Sequence, residues 1–232
     1  MLVYGKNVIR EAVFQGRPIR SLKVDRKFSD HRFLAFLRDK GVSWTEVSKE
    51  DLSRLAGTTS HQGIVADVKD YRVWSLEDVL DGNRNPRLVI LDGIEDPHNL
   101  GAVLRTAEAA GYDGVVVQKT NRAPLSATVA KVSSGAIEHV PVIEVTNIGT
   151  AILSMRDRGI LVVGTDGAAT TSYDEVRSDT GLAIVLGNEG DGIRPLVKKR
   201  CDILVRIPMK GKINSLNVSV AAALMMYRTM RD

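Results

Sequence analysis

The sequence predicts an α/β fold: a parallel sheet covered by helices on both faces, preceded by a small α/β unit. Three observations carry that prediction. From Arg87 onward, short β-branched strands alternate strictly with amphipathic helices, the pattern of strands joined by crossover helices. The first 70 or so residues alternate helix and strand on a smaller scale. Polar and glycine-rich residues concentrate in the loops that follow strands, where open parallel sheets hold ligands.

In the N-terminal part, residues 7–15 read as a short helix closed by Gly16 and residues 21–25 as a strand. Residues 29–40 form a clearer helix, with a Ser/Asp start, an apolar stripe of Phe33, Phe36 and Leu37, and Gly41 as its stop. A strand over 42–47, a helix over 49–56 and a strand over 63–68 complete a domain spanning 1–70. Its cations include Lys6, Arg10, Arg17, Arg20, Lys23, Arg26, Lys27, Arg32 and Arg38. Several sharing a face would bind RNA phosphates without reading sequence; a solvated surface mixed with Asp and Glu accounts for them equally well. Residues 71–86 hold few apolar residues and an Asp-Gly-Asn-Arg-Asn-Pro run of turn formers, so they read as a linker.

The second domain, 87–232, opens with a buried-type strand over 88–91. A helix over 99–110, capped by Asn99 and Gly111, leads to a strand over 114–118. A helix over 124–136, a strand over 140–145 and a helix over 148–158 follow, then strands over 160–164 and 182–186. A β-branched run from Ile203 stops at Pro208, and a last helix opens at Asn214 or Ser215, with Leu216, Val220, Ala223, Leu224 and Tyr227 as its core stripe.

Composition narrows the class. A hydrophobic fraction of 44% with 26% charged residues is that of a soluble globular protein. The sequence lacks an apolar run of membrane-spanning length. Charge near the start, where a signal peptide needs an apolar stretch, leads us to expect a cytoplasmic protein without a membrane partner. Cys201 is the only cysteine, so an internal disulfide is impossible and a cysteine-based metal site is not expected. His31, His61 and His139 have no metal-ligand spacing. Cys201 follows Lys198-Lys-Arg200, which would lower a thiol pKa, yet a bystander is the stronger reading. The net charge of +4 suits a phosphate-bearing partner.

Three loops carry the candidate chemistry. The first, Asp92-Gly-Ile-Glu-Asp-Pro-His-Asn-Leu-Gly-Ala-Val-Leu-Arg-Thr, leaves a strand and starts a helix; Arg105 lies four residues after Gly101 and so on its face. From these residues alone, Arg105 is a ligand contact, a solvated surface cation or a partner of Glu108. The second, Leu186-Gly-Asn-Glu-Gly-Asp-Gly-Ile193, is a tight glycine turn with Glu189 near its apex. It matches neither the dinucleotide fingerprint nor the phosphate loop. The third runs from Ile207-Pro-Met to Ser215-Leu-Asn-Val-Ser-Val-Ala221.

In this order, Asn-Leu-Gly-Ala-Val-Leu-Arg-Thr, Leu-Gly-Asn-Glu-Gly-Asp-Gly-Ile and Ile-Pro-Met-(x)5-Ser-Leu-Asn-Val-Ser-Val-Ala closely resemble the three signature motifs of the SpoU family of RNA 2′-O-ribose methyltransferases, in the SPOUT class. The resemblance covers the whole chain. Tyr4-Gly-Lys-Asn-Val8 and His61-Gln-Gly63 are similar to patterns of the ribosomal-protein-L30e-like substrate-binding domain that many members carry. The arrangement is most similar to the branch that methylates a guanosine ribose in large-subunit (23S) ribosomal RNA.

The resemblance implies what periodicity does not show: a catalytic domain whose C-terminal segment, from about Leu182, is tucked into a trefoil knot, a rare topology. It also implies S-adenosyl-L-methionine as cofactor, RNA rather than DNA as partner, and a homodimer through the knotted domain. Gly187, Ile207 and Leu216, with Thr165 nearby, are implied cofactor contacts, Gly187 leaving room for the ligand. Arg105, Asn99, Glu189, Ser215 and Asn217 match the family's polar catalytic positions. A guanidinium is a poor base, so Arg105 is assigned as a clamp on the neighbouring phosphate. Glu189 is the carboxylate suited to accept the hydroxyl proton, or else it holds Arg105 or its loop in place. Ser215 and Asn217 either hydrogen-bond the ribose or cofactor loop or only cap the helix. His98 is read as a substrate contact or a loop-shaping residue. The competing readings are a tRNA 2′-O-methyltransferase, a non-catalytic RNA-binding assembly protein, and a nucleotide-dependent metabolic enzyme.

Overall fold

The computed structural model describes residues 1–213 and 215–230. In chain order the first elements are β1 (Leu2–Tyr4), α1 (Lys6–Phe14), β2 (Ile19–Asp25), α2 (His31–Asp39), β3 (Thr45–Val47), α3 (Lys49–Ala56) and β4 (Ile64–Val68). Next come α4 (Leu76–Leu80), β5 (Arg87–Asp92), α5 (Pro97–Ala109), β6 (Gly114–Gln118), α6 (Ala127–Val132), β7 (Val142–Val145) and α7 (Ile148–Asp157). The chain finishes with β8 (Leu161–Thr165), β9 (Thr171–Ser172), β10 (Leu182–Gly187), α8 (Pro195–Lys198), β11 (Ile203–Arg206) and α9 (Val218–Thr229). Two compact units result: Met1–Tyr71 with Leu125–His139, and the remainder.

The first unit is built on a four-stranded sheet of order β1-β4-β2-β3, antiparallel except for the β2–β3 pair. Helix starts follow local chemistry: the Asp30 side chain accepts from the Phe33 amide and the Ser48 hydroxyl from the Asp51 amide, satisfying first-turn donors that have no helical partner. Val3, Ile9, Leu22, Phe33, Leu37 and Leu52 are fully or almost fully buried. Phe36, expected in the same stripe, is only half-buried.

Residues 125–139 join this unit although they lie far along the chain. The helix expected over 124–136 is α6 plus a 3-10 turn, Ala136–Glu138, whose Val129, Ala130, Ala136 and Ile137 are buried. Gly135 permits the close approach of α1: its φ is 93°, and a Cβ there would lie 2.7 Å from the Glu11 side chain. Arg17 ties the unit's outgoing segments together. It donates 2.7 Å hydrogen bonds to the Lys69 carbonyl and to Glu138, and its guanidinium stacks 3.6 Å over the Tyr71 ring. Burial raises the Glu138 carboxyl above its ordinary value even though Arg17 acts in the opposite direction.

The second unit carries a seven-stranded sheet of order β7-β6-β5-β10-β8-β11-β9, parallel at every pairing. The chain builds outward from β5 to β7, returns through α7 to β8, and then inserts β10 between β5 and β8. That reversal creates a switch point, where loops diverge and leave a crevice. Leu88, Ile90, Val116 and Ile143 pack with Ile148, Ile152 and Met155. Leu76 and Leu80 belong to the same cluster, so the stretch expected as a linker over 71–86 is mostly structured in this unit. Its α4 opens with a Ser75/Asp78 capping box, and two leucines four residues apart suffice to seat it.

On the opposite side, α9 packs on α5 and on β10. Asn214, one of the two residues predicted to open this helix, lies outside the described residues, and Ser215 precedes it; the cap is Asn217, whose side chain accepts from the Ser219 amide at 2.9 Å. The buried face is Val218, Ala222, Met225 and Met226, while Val220, Leu224 and Tyr227 of the predicted core stripe point outward. The strand order and the return of α9 across the sheet agree with the knotted arrangement that the resemblance implies.

Candidate active site

A cleft of about 320 Å³ opens at the carboxyl ends of β8, β10 and β11. Three loops form it: 165–167 after β8, 187–193 after β10, and the segment from Ile207 to α9. Its apolar walls include Leu186, Ile193, Val205, Ile207, Leu216 and Val218. The four residues predicted to hold a cofactor, Thr165, Gly187, Ile207 and Leu216, all line it. Walls of this kind beside loop amides suit a flat heteroaromatic ligand.

The glycine loop is folded back on itself. The Asn188 side chain accepts from the amides of Gly190 at 3.0 Å and Asp191 at 2.7 Å, and the Gly192 amide donates to the Asn188 carbonyl at 3.0 Å. Gly187 has a different reason from the one predicted. A Cβ there would lie 1.9 Å from the Gly192 carbonyl carbon and 2.1 Å from the Ile193 nitrogen; the room is taken by the returning backbone, not kept for a ligand.

Asn99 is not a helix cap. The α5 cap is Asp96, which accepts from the His98 amide at 2.9 Å, with Pro97 at the first helical position. Asn99 is instead a buried residue of the first turn whose side chain leaves the helix. Its amide donates to Glu189 Oε1 at 2.7 Å, and its carbonyl accepts from the Asn217 amide at 2.9 Å. Asn217 also donates to Glu189 Oε1 at 3.1 Å. Residues from three distant segments thus form one cluster on the rim of the cleft, with Glu189 both in the cluster and lining the cleft.

The other predicted residues divide. Ser215 lines the cleft and is exposed. Arg105 lies on the exposed side of α5 and, among the described residues, has neither a hydrogen bond nor an ion pair, so Glu189 is held by two amides rather than by Arg105, and Arg105 is not paired with Glu108. His98, seven residues before Arg105 and therefore on the same helix face, is likewise exposed. Cys201 is a bystander: burial pushes its thiol up to about 11.

Two ion pairs escaped sequence reasoning, one behind the glycine loop and one on the cleft wall. Asp92 closes β5 with only 1% of its surface exposed. It accepts from the Arg194 amide at 2.9 Å and from its Nε at 2.7 Å, while the same guanidinium reaches Gln118 at 2.8 Å. This grip anchors the end of the glycine loop to the sheet. The signal was present in the sequence: a carboxylate ending a run of Leu-Val-Ile-Leu must be buried and needs a partner. Asp166 and Lys198, both on the cleft wall, pair at 2.8 Å, and Lys198 holds the Asp166 carboxyl below its ordinary value.

Residues 86–227 match the model of the SpoU rRNA Methylase family, and residues 2–74 match that for RNA 2′-O ribose methyltransferase substrate binding. A Staphylococcus aureus protein assigned to the TrmH family of tRNA/rRNA methyltransferases is 41% identical over 99% of this chain and 95% of its own length. One from Bacillus subtilis, assigned to the same family, is 40% identical over 99% and 94%. The solved SpoU methyltransferase AviRb of Streptomyces viridochromogenes, in complex with the cofactor AdoMet, superposes with a TM-score of 0.84 at 26% identity, covering 98% of this chain and 88% of its own. An AdoMet-bound rRNA methyltransferase from Sinorhizobium meliloti superposes at 0.82, with 26% identity and coverage of 98% and 85%. The TrmH/SpoU tRNA modifying enzyme of A. aeolicus superposes at 0.57, with 27% identity and coverage of 62% and 73%.

Proposed function

The chain belongs to the SpoU rRNA methylase family and is an S-adenosylmethionine-dependent RNA methyltransferase; from that premise we propose that it methylates the ribose 2′-hydroxyl of a guanosine in large-subunit ribosomal RNA. The observation that carries the chemistry is the Asn99–Glu189–Asn217 cluster on the rim of an apolar cleft. The choice of RNA is supported by coverage. The rRNA-modifying neighbour spans 98% of this chain, substrate-binding unit included, whereas the tRNA-modifying neighbour spans 62%.

The cleft fits the cofactor: apolar walls at Ile207 and Leu216 suit an adenine, and its volume of about 320 Å³ suits a small molecule. Thr165, Gly187, Ile207 and Leu216 would hold it. Bound there, it supplies an electrophilic sulfonium methyl. The chain's own residues orient the hydroxyl and take its proton. Glu189 is the proton acceptor, and the amides of Asn99 and Asn217 fix one of its oxygens so that the other faces the substrate. Arg105, free of any carboxylate among the described residues, clamps the phosphate next to the target ribose and offsets developing negative charge. Ser215 hydrogen-bonds the ribose or the cofactor.

Dimerisation through the second unit belongs to the same proposal. Val220, Leu224 and Tyr227 leave an apolar stripe on α9 exposed, Tyr227 by 54%. No helix among the described residues is long and apolar enough to cross a membrane, and we place the enzyme in the cytoplasm with its RNA.

Transfer of labelled methyl to large-subunit rRNA and to total tRNA, both from cells lacking the protein, tests the substrate. A 2′-O-methylguanosine in rRNA alone is expected. Label in tRNA would retain the chemistry and replace the substrate; cofactor binding without transfer to either RNA would favour an assembly intermediate as substrate or a purely RNA-binding role.

A further inference from the structure

Many cations of the first unit are neutralised by carboxylates: Lys6 by Asp30, Arg17 by Glu138, Arg54 by Asp51. The α1–α2 face differs. There Arg10 lies 5.5 Å from the Phe33 ring centre and 5.9 Å from that of Phe36, Lys40 lies 5.5 Å from Phe14, and Arg38 lies 5.8 Å from Trp44. None of these three cations has an ion pair among the described residues. Their charge is left for a partner. Phe14 packs against Phe36 at 5.0 Å yet is 55% exposed. Beside it, a hollow of about 330 Å³ is bordered by Val13, Arg20, Lys40 and Val42, so Lys40 stands both on the ring and at the hollow's edge.

An exposed ring flanked by cations free of carboxylates has the chemistry of single-stranded nucleic acid: bases stack on the ring and phosphates take the charges. Duplex RNA keeps its bases stacked inside and offers no free base to the ring. We propose that the α1–α2 face of the first unit is a stacking platform for unpaired nucleotides of the substrate RNA, one base on Phe14 and the adjoining phosphates on Lys40 and Arg10. The proposal rests on the RNA-methyltransferase reading and adds where the substrate is gripped outside the cleft.

The test uses the full chain and a short labelled RNA without self-complementarity, with binding read by fluorescence anisotropy. Transfer of labelled methyl to large-subunit rRNA is measured alongside. Phe14→Leu should weaken RNA binding about tenfold. Lys40→Gln should flatten the dependence of log affinity on log salt by about 0.7. Both variants should melt at the parent temperature and bind S-adenosylmethionine as the parent does. Parent-like affinity and salt slope in both, with rRNA still methylated by the parent, would overturn the platform and leave the enzyme reading intact. A parent that methylates rRNA yet ignores the short RNA would do the same. A parent that neither binds nor methylates RNA would overturn both.

Discussion

Gly187 shows how much one hydrogen decides. Because its Cβ position is occupied by the backbone of Gly192 and Ile193, Gly187→Ala must displace the loop carrying Glu189. Calorimetry should find cofactor affinity reduced at least about tenfold, with a lower melting temperature, as for other overpacked sites. Arg105→Ala behaves oppositely. Among the described residues that side chain has neither a hydrogen bond nor an ion pair, so melting and cofactor affinity should hold while kcat for methyl transfer falls about a hundredfold or more, the scale of losing one charge-stabilising donor. Glu189→Gln keeps the shape and removes the carboxylate proposed to accept the proton; kcat should drop by about two to four orders of magnitude. Parent-like turnover in that variant would reassign Glu189 to holding the loop. The sequence supplied the identities of these residues through their motifs but not their geometry. Asn99 reads as a cap because Asn caps helices, yet Asp96 and Pro97 already do that work and leave Asn99 to reach across to Glu189.

Among elements, the C-terminal helix carries the sharpest lesson. Its apolar residues surround the axis, so a period of 3.6 finds a helix without saying which stripe faces inward. Val218, Ala222, Met225 and Met226 take α5 and β10, and the Val220–Leu224–Tyr227 stripe is left over. If that stripe is the dimer contact, Tyr227→Asp should shift sedimentation from dimer to monomer, raising the dissociation constant at least about tenfold, and a parent that sediments as a monomer would end that assignment. Long strands were legible because parallel strands buried on both faces are continuous apolar runs, and β6 falls on residues 114–118 as predicted. The three-residue β1 and the five-residue α4 were not: such short pieces exist only because tertiary partners bury them.

Over the whole chain, acid stability has a local origin. His61 is buried, with its ring between Ser53 and the Gly63 amide, and burial holds its pKa below the usual 6.5. Below 6.5 the unfolded chain therefore binds the proton more readily than the folded one, so this contribution is complete above that value and is lost as pH falls through the lower, folded value. Melting temperature should be flat from about pH 7 upward and decline as pH falls below about 6.5, and His61→Gln should lessen that decline. The division into two units was half visible. Composition marks a change near residue 70, but sequence order gave no hint that residues 125–139 return to the first unit, because that return is fixed by packing of α6 and by Gly135 rather than by local pattern. This doubling back bears on inheritance. A module attached by one junction can be gained or lost by a single recombination, whereas here removal of 1–71 strands a helix whose buried Val129, Ala130 and Ile137 lose their lining. Ancestral exchange of the first unit would have required two breakpoints or a rebuilt connection after β6, and a chimera joined at one seam should be found in inclusion bodies.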